Sequence, residues 1–109
     1  MSIFEDRQRG HEAKFARDEE AAFRIVARRN RLLGQWAAVL MKLTPEETDA
    51  YAKAVVQADF EEAGDEDVVR KLLGDLTAAG VDIDDAGVRR ALEEQTVEAR
   101  RQLIQSEQP

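Results

Sequence analysis

The chain has no cysteine, one histidine and only two prolines in 109 residues. Without cysteine, disulfides and thiolate chemistry are both excluded. His11-Glu12 starts like a zinc-protease motif, but the second histidine is missing and no thiol can replace it, so no transition-metal site is expected. The prolines stand at 45 and 109, and the β-branched residues are scattered rather than alternating, which favours helices over sheets. No phosphate-cradling glycine loop, nucleophile–base pair or cofactor fingerprint occurs, so the chain is not expected to be an enzyme. Nor is there an apolar run resembling a signal peptide or long enough to span a membrane. The expectation is a soluble, cytoplasmic, all-α domain with one small core.

What the chain has in quantity is charge, 36% of its residues, with a formal net of −7. The charge is uneven. Residues 1–31 hold eight basic and six acidic groups, a net of +2, whereas residues 32–109 hold eight basic and seventeen acidic, a net of −9. An acidic body lacks the concentrated positive face that phosphate backbones require, so nucleic acid is not expected as the main partner. An acidic surface also suits a monomer when the chain is free.

Apolar periodicity and capping residues separate four helices. The first is expected from near Ile3 to about Leu43, with Ile25, Leu32, Leu33, Trp36, Leu40 and Leu43 repeating near 3.6. It stops before Thr44-Pro45-Glu46-Glu47, where Thr44 caps, Pro45 takes the first helical position and Glu47 completes a capping box. The second, about 45–62, is expected to bury Tyr51, Ala52, Val55, Val56 and Phe60, with Gly64 as a left-handed cap and Asp65 opening the next helix. The third, about 66–79, carries Val69, Leu72, Leu73 and Leu76 and closes at Gly80. The fourth, capped by Asp82 or Asp84, runs to about Gln105 along Val88, Leu92, Thr96, Ala99 and Leu103. Short connections predict antiparallel neighbours, hence a small four-helix bundle.

Three charged clusters have ordinary explanations. The run from Asp82 to Glu93 matches several positions of a calcium loop. However, Ala86 removes a ligand and Arg89 stands where an apolar anchor belongs, so helix-capping acids are the better reading. Asp59, Glu61, Glu62, Asp65, Glu66 and Asp67 read as solvated caps and surface charge. Arg24, Arg28, Arg29 and Arg31 read mainly as surface, with Glu20 placed to pair with Arg24. Trp36, close behind Gly34, reads as a core anchor beside a close helix contact.

The N-terminus is different. Phe4, His11, Phe15, Ala22 and Val26 follow steps of seven, four, seven and four along one helical face, surrounded by charge. So thin a stripe buries too little surface to hold a helix in place alone, and fits instead into a groove on a partner.

Longer strings carry a family resemblance. They are Phe4-Glu5-Asp6-Arg7, residues 14–20 (KFARDEE), residues 27–34 (ARRNRLLG), Trp36-Ala37-Ala38, Tyr51-Ala52-Lys53 and residues 58–68 (ADFEEAGDEDV). Together they resemble the zeta subunit of the alphaproteobacterial F-type ATP synthase, along essentially the whole chain. The resemblance implies a four-helix fold and inhibition of ATP hydrolysis. In such proteins an N-terminal segment, mobile when free and helical when bound, enters the catalytic head between catalytic and noncatalytic subunits, at the inner face of the plasma membrane.

Carried onto this chain, residues 1–18 are the inhibitory segment and 19–109 the bundle. Phe4, Asp6, Arg7, Arg9, Lys14 and Phe15 match the pattern, and His11 stands among them as a further partner-binding position. Gly10-His11 departs from the small-aromatic pair often found there, which lowers helix propensity and shortens the apolar stripe. No cofactor is required, although some family members bind ATP or ADP weakly; no residue here is assigned to that. Two alternatives stay open: a regulatory module that senses adenine nucleotide and acts elsewhere, with inhibition vestigial, and a basic arm of Arg24–Arg31 for anionic membrane or nucleic acid.

Overall fold

A computed structural model describes the backbone of residues 3–59 and 64–107 and the side chains of residues 20–59 and 64–105. Four helices follow one another: α1 (Ile3–Leu40), α2 (Pro45–Ala58), α3 (Glu66–Ala78) and α4 (Asp85–Glu107). The described residues contain no strand. The all-α, four-helix expectation holds.

The boundaries follow from local chemistry. Thr44 Oγ1 accepts from the Glu47 N–H at 3.2 Å, while Glu47 Oε1 accepts from the Thr44 N–H at 2.9 Å, closing the expected capping box. The Thr44 backbone N–H, aided by its hydroxyl, holds the Glu47 carboxyl below its ordinary value. The helix before it ends three residues sooner than expected. Lys42 turns left-handed at φ 60°, the Lys42 N–H bonds to the Val39 carbonyl, and the Leu43 N–H reaches back to Ala38 at 3.0 Å. This pair of bonds is a Schellman closure that satisfies carbonyls the helix would otherwise leave open. Leu40 is consequently 39% exposed rather than in the core, and Met41 packs there in its stead.

Gly80, at φ 81°, closes α3 in the same way, with the Val81 N–H bonded to the Leu76 carbonyl. α2 ends at Ala58, not near 62; Asp59 is its C-cap, and Phe60, Glu61 and Glu62 lie outside the described residues. Asp84 caps α4, accepting from the Gly87 N–H at 2.8 Å.

The core is built from Leu33 and Ala37 of α1, Val55 of α2, Val68, Val69, Leu72 and Leu76 of α3, and Val88 and Ala91 of α4. Trp36 packs against this cluster from a half-buried position. Ile25, Leu32, Val56, Thr96 and Leu103 are half-buried rather than central. α1 and α2 meet closely because Gly34 has no side chain: a Cβ there would lie 2.6 Å from the Ala52 Cα.

A polar contact ties α2 to α3. The Tyr51 hydroxyl donates to Asp75 Oδ2 at 2.7 Å; Lys71 reaches the same oxygen at 3.1 Å and lies over the Tyr51 ring at 5.2 Å. Burial, reinforced by the bond to Asp75, pushes the phenol well above its ordinary value of 10.0. A value raised by folding contributes stability that is complete below pH 10 and is lost as pH rises beyond it. Thermal melts are therefore expected to fall above pH 10, and Tyr51→Phe is expected to cost about 1–2 kcal/mol near neutrality while flattening that fall. An alkaline limb unchanged by the substitution would show that Tyr51 does not cause it.

Candidate functional site

α1 is out of proportion to the rest of the molecule. Its 38 residues extend about 57 Å at 1.5 Å per residue, against about 34 Å for the 23 residues of α4 and about 21 Å for the 14 of α2. The molecule measures 65 × 31 × 21 Å as a result. No neighbouring helix is long enough to cover α1 along its whole length. The backbone is helical without a break from Ile3 through Gly10 to Leu40.

Phe4, Asp6, Arg7, Arg9, His11, Lys14 and Phe15 all fall on the N-terminal half of α1, and their side chains lie outside the described residues. What the structure brings into view is the root of that half, where α1 joins the bundle. Phe23 is 60% exposed, Ile25 and Val26 are half-buried, and Arg29 and Asn30 are buried.

Arg29 corrects the surface reading of the basic cluster. Its side chain is only 5% exposed. Nε and Nη2 donate to Asn30 Oδ1 at 3.1 and 3.0 Å, and Nη2 also reaches Asp65 Oδ1 at 2.9 Å, with Asp59 Oδ1 at 4.0 Å. The guanidinium thus draws on the end of α2 and the start of α3 together, which explains a second departure. Asp65 stands at the N-cap of α3 yet makes no capping bond, because its carboxylate turns to Arg29 instead. A signal for this existed: 26, 29 or 30, 33 and 37 continue one helical stripe, so a polar residue at 29 interrupts a core face.

The other members of the cluster do lie at the surface. Arg24 pairs with Glu20 at 2.9 Å, as the spacing predicts. Arg28 donates to Gln102 of α4 at 3.2 Å, and Arg31 stands 3.9 Å from Asp49 of α2. Between these arginines and α2 and α4 opens a groove of about 590 Å³, floored by Ala27, Ala52, Val56 and Leu103, with Lys53 on the far side.

The acids of the calcium-like run are engaged locally. Asp84 caps α4, and Asp85 accepts from Arg89 Nε at 2.7 Å. Arg89 also makes a two-pronged contact with Glu66, at 3.0 and 2.9 Å, which lowers the Glu66 carboxyl below its ordinary value. Among the described residues no group of three or more metal-ligating side chains is placed to hold an ion.

The family model for the ATPase inhibitor subunit zeta matches residues 1–102. The chain belongs to that family. Four solved chains also match; one, determined by solution NMR, shares 45% identity with a TM-score of 0.69, over 77% of this chain and 95% of its own. No curated protein matches. Family membership makes this an ATPase inhibitor and implies interaction with an ATP synthase. Among the described residues no helix is long and apolar enough to cross a membrane.

Proposed function

We propose that this chain inhibits ATP hydrolysis by the F-type ATP synthase, with residues 1–18 entering the catalytic head between a catalytic and a noncatalytic subunit. The bundle of residues 19–109 is the anchor, and the site of action is the cytoplasmic side of the inner face of the plasma membrane. The observation that carries this reading is the length of α1, which at about 57 Å exceeds what α2 or α4 can cover. A helix of that kind gains its stability by laying a face against a partner.

In this arrangement Phe4 and Phe15 supply apolar anchors and His11 continues their line. Arg7, Arg9 and Lys14 pair with carboxylates of the head, and Asp6 with a cation. The N-terminal half of α1 gains its lasting hold when it lies against the head. Ordering such a segment consumes about 2–5 kcal/mol of the contact energy, so helix propensity within it affects potency directly.

The test is a titration of the full chain into the synthase head of the same organism, following ATP hydrolysis. Hydrolysis should fall with saturable, near one-to-one stoichiometry. Gly10→Ala should lower the half-inhibitory concentration by about fivefold, the equivalent of about 1 kcal/mol of helix propensity. Undiminished hydrolysis at saturating chain would remove the reading.

A further inference from the structure

The groove of about 590 Å³ between α1, α2 and α4 is lined, among the described residues, by side chains that lie beyond the N-terminal segment. Arg24, Arg28 and Arg31 stand along α1 at i, i+4 and i+7, spanning about 10 Å of its axis, and Lys53 faces them from α2. They are clustered on a molecule whose residues 32–109 carry a net −9, so this is a positive row on an acidic body.

The carboxylates close to the row do not neutralise it. Glu20 serves Arg24, a single Asp49 is shared between Lys53 at 3.3 Å and Arg31 at 3.9 Å, and Arg28 has an amide, Gln102, as its partner. Below the cations the floor is apolar, formed by Ala27, Val56 and Leu103 with the buried Ala52 behind them. A smaller recess shares Ala27 and Val56 and extends the apolar strip to Val26 and the exposed Phe23.

We propose that this groove is a second docking surface, which takes an amphipathic helix of the synthase head whose apolar face is flanked by carboxylates at i, i+4 and i+7. The inference rests on the function proposed above and adds an anchor to the inserted segment. Charge complementarity identifies the occupant. A row of cations along two helical turns matches a row of carboxylates at the same spacing on a helix laid beside it. A compact anion would meet one or two of these cations and leave the apolar strip unused. An apolar floor under a charged rim is the form of helix-in-groove recognition. The four cations are exposed, so their partners within the chain exchange at little cost.

The test compares the full chain with a full-length Arg28→Glu/Lys53→Glu variant, measuring equilibrium binding to the purified head and the inhibition reached at saturation. The variant should bind at least about tenfold more weakly, with maximal inhibition unchanged, because residues 1–18 are intact. Wild-type affinity should also fall more steeply than the variant's between about 50 and 200 mM salt. Equal affinities for the two chains overturn the proposal. Should the variant melt at a lower temperature, Arg28→Gln/Lys53→Gln is read by the same criterion. If wild type does not bind the head at all, the proposed function fails first and this inference with it. Titration with ATP or pyrophosphate that saturably shifts the groove amides, while the variant keeps full affinity for the head, assigns the groove to a small anion and overturns the proposal.

Discussion

Removing residues 1–18 is expected to weaken inhibition of ATP hydrolysis by at least about a hundredfold while leaving the unfolding midpoint of the remaining chain nearly unchanged. The first half follows from the loss of both aromatic anchors, Phe4 and Phe15. Burying each against a partner stabilises the complex by about 1.5–3 kcal/mol, and either alone accounts for a tenfold change or more. The second half follows from where the core lies. Its α1 members are Leu33 and Ala37, and the guanidinium that ties α1 to the α2–α3 link belongs to Arg29. All three stand well beyond the deletion point. Inhibition titrations paired with thermal melts check the two halves separately. A truncated chain that still inhibits assigns the activity to the bundle; one that fails to fold assigns residues 1–18 a structural role.

Gly34→Ala is expected to destabilise the chain, by about 1–3 kcal/mol, although alanine is the better helix former by about 1 kcal/mol. The added methyl would stand 2.6 Å from the Ala52 Cα, 3.2 Å from its Cβ and 3.3 Å from its backbone nitrogen. Two of those atoms are backbone, so α1 and α2 must separate to make room. Repacking one side chain is not enough, and Ala52→Gly should fail to rescue the variant because the shortest contact is to the Cα. Gly74 is the matched control. It lies within α3, is exposed, and has nothing within 4 Å of the position a Cβ would take. Gly74→Ala is therefore expected to stabilise by about 0.5–1 kcal/mol. Urea midpoints moving in opposite directions for the two substitutions confirm that contact, not propensity, decides at Gly34. Midpoints moving together would contradict it.

Gly34 was legible in the sequence because its signal is local: a glycine inside a strongly apolar helical stretch has few uses apart from close approach. The capping box at Thr44 and Glu47 and the Glu20–Arg24 pair were legible for the same reason, since each is complete within four residues. Arg29 was not. Its partners Asp59 and Asp65 stand 30 and 36 residues away, and the one local signal, its interruption of the apolar stripe through 26, 33 and 37, does not by itself say that a charged side chain turns inward. The turned-away carboxylate of Asp65 was hidden for the same reason, because a cap is expected of an aspartate at a helix start unless a stronger cation competes for it. The groove was hidden likewise: its cations were visible as a cluster, but its floor is assembled from α1, α2 and α4. The early end of α1 depended on Lys42 adopting a left-handed conformation that its side chain does not advertise.

The absence of cysteine makes the central claim directly testable, because any cysteine introduced is unique. A full-length Phe15→Cys chain, derivatised with a short photoactivated cross-linker and bound to the catalytic head, should join to a catalytic or a noncatalytic subunit when illuminated, in proportion to the inhibition achieved. A chain that inhibits fully while its residue 15 joins to neither subunit would contradict insertion of the N-terminal segment.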